Sequence, residues 1–161
     1  MNWLGALLVV AASYFCGTAL ARDEGDRLKT LDSLILLLKY MRRRMNAERI
    51  PLFEIFSEFD DEFLEDNGFL PILRSHRNGM PILWSEAVSK LPTDEETKRE
   101  LTHFGQSLGG LPMEEQILRL DACVSFLSDS RKSLLSNLPA KQKSIKTVCL
   151  LLGVMAAIIL L

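Results

Sequence analysis

Two uncharged stretches bracket a chain whose middle alternates apolar and polar positions at helical spacing. WLGALLVVAASYFCGTALA, from Trp3 to Ala21, and VCLLLGVMAAIILL, from Val148 to Leu161, contain no charged side chain. The first is long enough for a helix of about 28 Å, close to the ~30 Å hydrocarbon core of a bilayer. Trp3 and Tyr14 suit an interface. The second stretch is shorter, but it is apolar on every face, and a small helical domain has little surface with which to cover such a helix. Lys143 and Lys146 can snorkel, which extends the usable helix back to Ser144 and to about 27 Å. The pattern therefore predicts membrane spans over 1–22 and 144–161, with the C-terminal carboxylate in the far headgroups.

Residues 23–143 are predicted to form an all-α, antiparallel bundle of about six helices. From Asp26 to Ala47, Leu28, Leu31, Leu34, Ile35, Leu38, Met41 and Met45 share one face at 100° per residue. Pro51 suits the first position of a helix. The following LFEIFSEFDDEFLED sets Phe53, Phe56, Phe59 and Phe63 on one arc and Glu54, Glu58, Asp61, Glu62 and Glu65 on the opposite one. Asn67-Gly68 and Asn78-Gly79 signal turns, with a short helix between them after Pro71. Pro81 opens a helix burying Leu83, Trp84, Ala87, Val88 and Leu91. Thr93 and Glu96 form a capping box for a helix carrying Leu101, Phe104, Gly105 and Leu108 inward, stopped by Gly109-Gly110. From Met113 to Leu138, the positions Ile117, Leu120, Val124, Leu127, Leu134 and Leu138 form a heptad-like seam with Arg131 in the one gap. Pro139 is predicted to interrupt that helix.

Charge adds sidedness to this picture. All 19 Lys and Arg, all 21 Asp and Glu and both His lie between Arg22 and Lys146, for a net charge of −2. Such a balance exerts no overall pull toward nucleic acid, and none is expected as a partner. Arg22, Arg27 and Lys29 follow the first apolar stretch and Lys141, Lys143 and Lys146 precede the second. The positive-inside rule then places the middle in the cytoplasm. The rival reading is a secreted or cell-surface helical protein with a cleaved signal peptide ending at Ala19–Ala21 and a C-terminal anchor. It lacks the basic n-region that a signal peptide carries. Of the three cysteines, only Cys123 lies in the charged part, so no disulfide is expected there.

Candidate chemistry is sparse. Glu100 and His103 have the E-x-x-H spacing of a dimetal ligand pair, but a second pair and two further carboxylates are missing. The acidic segment lacks the pattern of a calcium loop, and there is no phosphate-binding loop. No catalytic, cofactor or metal residue is predicted, and no cofactor. Arg42, Arg43 and Arg44 form the sharpest charge cluster, suited to anionic lipid, to a partner's acidic face, or to this chain's own second helix. With Glu54, Glu58, Asp61, Glu62, Glu65 and Arg131 they are the candidate partner-binding residues.

The order of span, leucine-rich helix, Pro-Leu helix, Trp helix, FGQSLGG, long helix and span resembles the stage III sporulation protein AB family over nearly the whole chain. The matching pieces are IPLFEIF (Ile50–Phe56), Trp84 followed by Ala87, Phe104-Gly105 with Leu108-Gly109, and Gln116. The chain departs from the family at Arg44, Ala47, Ile50 and Pro112, which stand where Glu, Tyr, Thr and Asp are usual. The resemblance implies a non-enzymatic platform at the outer forespore membrane, facing the mother-cell cytoplasm, with a soluble domain similar to that of the type II secretion and type IV pilus platform protein. It further implies a channel complex joining mother cell and forespore. The implied partners are the secretion-type ATPase of the same operon and other membrane subunits of the channel; a homo-oligomer is a candidate assembly beside these.

Overall fold

The computed structural model describes residues 3–48, 50–76 and 78–160, and along the outer parts of the first and last helices it describes mainly backbone. Among the described residues there are seven helices and no strand. These are α1 (Trp3–Glu48), α2 (Leu52–Glu58), α3 (Glu62–Asp66), α4 (Phe69–Ser75), α5 (Met80–Lys90), α6 (Glu95–Gln106) and α7 (Met113–Leu160). The chain divides into two units, one of Met1–Asp26 with Ser133–Leu161 and one of Arg27–Lys132. The expected spans do not stand as separate helices: each is the outer part of a helix that continues into the charged middle of the sequence. Most of their side chains lie outside the described residues. Among the described residues, no helix is long and apolar enough to cross a membrane.

The unit Arg27–Lys132 is organised around one tryptophan. Trp84 on α5 is fully buried and is surrounded by Phe56 of α2, Phe69 of α4 and Phe104 of α6, with ring centroids 6.0, 5.3 and 5.5 Å away. The Phe69 and Phe104 contacts are edge-on, the arrangement that the ring quadrupoles favour. The indole N–H donates to the Leu101 carbonyl of α6 at 2.7 Å, so the polar atom of this large side chain is satisfied inside the core. Gly105 makes the approach possible. A Cβ there would overlap Trp84 Cδ1 and would lie only 2.8 Å from Cγ.

Around this centre α4 packs on α2, α3 and α5, and α5 packs on α6. The leucine-rich face of α1 is buried as its spacing predicts, with Leu31, Leu34, Ile35, Leu38, Met41 and Met45 all inside. Leu37, Thr30 and Ser33 widen that face, as a helix with neighbours on more than one flank requires. Thr30 Oγ1 donates to the Pro92 carbonyl at 3.3 Å. Among the described residues three glycines take positive φ: Gly68 and Gly79 as the residues that open α4 and α5, and Gly109 beyond α6.

Several sequence-based expectations shift in detail. The predicted acidic helix over 51–65 is two helices. Phe59 is extended (φ −77°, ψ 129°), and Asp61 caps α3 by accepting from the Leu64 amide at 3.0 Å. A short acid that can accept from the backbone two or three residues on favours such a restart. The break turns Phe59 inward, and the buried set is Ile55, Phe56, Phe59 and Leu64, while Phe53 and Phe63 are half-buried. The α6 cap is Asp94, not Thr93: its carboxylate accepts from the Thr97 amide and from Thr97 Oγ1, the latter at 2.7 Å. Among the described side chains of α7 the buried positions are Gln116, Leu120, Cys123, Leu127 and Leu134, with Ile117 and Val124 half-buried. The leucine row through Leu134 is as expected, but its companion row lies on the other side of it; the Leu138 side chain lies outside the described residues. Finally, α7 runs through Pro139 without interruption.

Two predictions follow from this packing. In a Trp3→Phe background, where Trp84 is the only tryptophan left of the two, fluorescence reports on the core alone. Urea unfolding of the detergent-solubilised full-length chain should show Gly105→Ala destabilised by about 1–3 kcal/mol, the cost of overpacking. Gly110→Ala, where a Cβ meets nothing within 4 Å, should stay within about 0.5 kcal/mol; equal midpoints for the two would refute the close approach. The second concerns Asp94. Burial raises its pKa, but hydrogen bonds from Thr97 and the Arg27 guanidinium at 2.7 Å outweigh this and hold it below its ordinary 3.8. The stabilisation is thus complete above 3.8 and is lost as pH falls through the lower folded-state value. Asp94→Asn should be less stable than the parent chain near neutral pH, and the difference should shrink in more acidic buffer.

Candidate functional site

The charged residues that the sequence nominates fall into two neighbouring groups on the unit Arg27–Lys132. The first is the flank where α1 meets α7. Arg42 of α1 pairs with Asp121 of α7 at 2.9 Å, and Arg131 of α7 pairs with Asp32 of α1. Moving ten residues forward on α1, from Asp32 to Arg42, moves ten residues back on α7, from Arg131 to Asp121. The helices are therefore antiparallel, and the two bridges are about 15 Å apart along them. Arg131, the one charged position in the predicted seam, is half-buried and serves as a cross-helix partner.

The second group surrounds the α2–α3 corner. Arg44 pairs with Glu58, which also accepts from the Tyr40 hydroxyl at 3.3 Å, and the Tyr40 and Phe59 rings lie 5.4 Å apart. Glu65 pairs with Arg74 of α4. Arg74 is a residue that sequence reasoning missed. Its Nε donates to the Phe56 carbonyl at 2.8 Å, and a terminal N–H donates to the Phe59 carbonyl. These are carbonyls at the C-terminal end of α2, where the helix itself offers no donor. A lone arginine in a last helical turn is the only trace of this role in the sequence.

The nominated residues thus differ in what they leave free. Arg42, Arg44, Glu58, Glu65 and Arg131 are in ion pairs, and Asp61 is a helix cap. Arg43, Glu54 and Glu62 are exposed and have no ion pair among the described residues. Like-charged Asp60 and Asp66 are exposed beside Glu62. The predicted acidic arc of a single helix is a corner between two.

The E-x-x-H pair, Glu100 and His103, is exposed on α6. Among the described residues no group of three or more His, Cys, Asp or Glu could hold a metal ion. Cys123 is buried, and loss of hydration, with a smaller contribution from Glu100, pushes its thiol up to about 12. It is therefore a neutral packing group at physiological pH, not a reactive thiolate.

The three adjacent arginines should behave differently on charge reversal. Arg42→Glu and Arg44→Glu set like charges against Asp121 and Glu58 and should each lower stability by up to about 1 kcal/mol, the scale of a partly exposed pair. Arg43→Glu should change it by less than about 0.5 kcal/mol. Urea midpoints of the three variants check this, and an Arg43 variant as destabilised as the others would contradict it.

A family model described as stage III sporulation protein AB (spore_III_AB) matches residues 2–161, almost the entire chain. No curated protein and no solved structure matches the chain.

Proposed function

The chain belongs to the stage III sporulation protein AB family, so its role lies in stage III of spore formation, and within that role we propose a membrane scaffold without catalytic activity. In this reading the two apolar ends hold it in the outer forespore membrane, and the helical unit faces the mother-cell cytoplasm. There it recruits the secretion-type ATPase of the same operon to a channel joining the two cells.

The observation that carries the reading is the family match over residues 2–161, which takes in both apolar ends and the helical middle together. The helices add support: α1 and α7 each run unbroken from an apolar end into the charged part of the chain, as expected of a domain anchored at both its ends. The polar chemistry of that domain is also consistent with binding. Its nominated charges are engaged in ion pairs and caps or stand free at the surface. Arg43 with the Glu54–Glu62 corner offers both signs of charge, which favours orientation and encounter rate more than affinity.

Sidedness and recruitment can be read in one experiment on the full-length protein in sporulating cells. Cys123 is buried and cannot report, so the probe is Ser89→Cys, an exposed α5 position, with Cys16, Cys123 and Cys149 replaced by Ala. A membrane-impermeant thiol reagent should label it only after lysis, and an affinity tag should retain the ATPase. Arg43→Glu combined with Glu54→Lys and Glu62→Lys should reduce that retention at least tenfold, equivalent to about 1.4 kcal/mol. Labelling of intact cells would instead favour the cell-surface alternative. Full retention by the triple variant would remove these residues from the contact.

A further inference from the structure

We propose that the cleft between α6 and α7 binds an acylated amino-acid carboxylate, that is, a carboxylate with a short apolar side chain and an amide N–H beside it. The cleft has two halves, of about 260 and 240 Å³, and His103 and Arg119 line both. Each half alone could hold a group of amino-acid size. The residues that line them differ in a way that reads as a pattern for one ligand.

The smaller half is lined by Gln106, Ser107, Gly110 and Leu111 in addition to the shared pair. It contains no acidic residue. Ser107 directs its hydroxyl hydrogen to the Phe104 carbonyl at 2.6 Å, and Gly109, at φ 78°, turns the chain just before Gly110. Arg119 and His103 are exposed and have no ion pair among the described residues. A guanidinium with a free face and an imidazole converging on one acid-free space suit an oxyanion, and the planar fork of arginine matches a carboxylate.

The larger half adds Phe104, Ala122 and Cys123 as an apolar wall, with Glu100 as its single acid. Cys123 contributes a neutral sulfur to that wall, given the raised pKa of its thiol. Glu100 and Arg119 face the same space and yet form no ion pair with each other. A bound group can therefore lie between them, with its carboxylate toward Arg119 and His103, its side chain against Phe104 and Ala122, and its N–H donated to Glu100. Glu100 also disfavours a second negative charge on the ligand.

This chemistry has two sources, a free N-acylated amino acid or the C-terminal residue of another protein. The test uses full-length chain in nonionic detergent, with the ring signals of His103 and His76 followed by NMR. These are the only two histidines, and His76 lies beyond α4 as an internal control. N-acetylleucine should move the His103 signals saturably, with Kd on the order of 1 mM, and leave His76 in place. N-acetylleucinamide, which lacks the carboxylate, should bind at least tenfold more weakly. Arg119→Gln should weaken N-acetylleucine at least tenfold, whereas Arg99→Gln, an exposed α6 residue outside the cleft, should not. A pentapeptide ending in leucine that binds at least tenfold more tightly than N-acetylleucine would identify a protein terminus as the ligand, and equal or weaker binding a free carboxylate. Absence of a saturable His103 shift, equal binding of acid and amide, or an unchanged Arg119→Gln variant would each overturn the proposal.

Discussion

Trp84 and Gly105 fit one another with no space to spare, and the helical unit is arranged so that they can. The indole lies on the bare backbone of α6 and donates its N–H to the Leu101 carbonyl, one turn before Gly105. An α-helix carbonyl at that position already accepts from the amide four residues on, so the indole uses its second lone pair. That requirement fixes the rotation of α6 about its own axis as well as its distance from α5. Phe56, Phe69 and Phe104 then close around the same ring from α2, α4 and α6 itself. Four short helices, of 7, 7, 11 and 12 residues, would be marginal alone. They gain their order by sharing one large side chain.

Much of this was legible in the sequence because the inward residues on α1, α5 and α6 are strongly apolar and regularly spaced. The face from Leu31 to Met45, the Trp84–Ala87–Val88–Leu91 face and the Leu101–Phe104–Gly105–Leu108 face are buried as the periodicity predicts, while Leu28 and Leu83, expected on the first two, are half-buried. What escaped were choices made by single polar atoms or by neighbours. Periodicity alone continued the helix past Phe59, whereas the Asp61 carboxylate starts a new one. Thr93 and Asp94 both suit a cap, and the Arg27 and Thr97 contacts select Asp94. Nothing local to Arg74 shows that it will serve two carbonyls of a helix 15 to 18 residues earlier.

The phase of α7 has the same origin. Two inward rows are available, one through Ile117 and Val124 and one through Gln116 and Cys123, each flanking Leu120 and Leu127. Hydrophobicity favours the first by burial of apolar area, yet the second is inside. The row at Ile117 and Val124 lies on the side toward α1, where the Asp121 and Arg131 bridges occupy the helix flank. The row at Cys123 lies toward α6 and shares a cleft with Phe104. Burial on α7 is thus decided by which helices stand on either side of the leucines. Pairwise spacing within the helix contains no record of that. The candidate charges were legible as a cluster for the same reason that their pairing was not: composition marks Arg42, Arg43 and Arg44 equally, and only the neighbours separate them.

The two bridges between α1 and α7 contribute little energy individually, because exposed pairs recover only a fraction of a kcal/mol to about 1 kcal/mol. Their value lies in acting together. A slip of α7 by one turn along α1 would bring Ile117 or Ser125 opposite Arg42 in place of Asp121. The same slip would bring Leu127 or Leu135 opposite Asp32 in place of Arg131. Both pairs fail at once, since they are separated by the same ten residues on each helix. The leucine row of α7 is less selective against a slip of seven residues, because Leu120, Leu127 and Leu134 repeat at that spacing. Such a slip would set Glu114 or Ser128 opposite Arg42 and Val124 or Leu138 opposite Asp32, so at least one bridge is lost. A register that apolar packing alone leaves ambiguous is therefore settled by charges with modest energy, placed where only one alignment satisfies both.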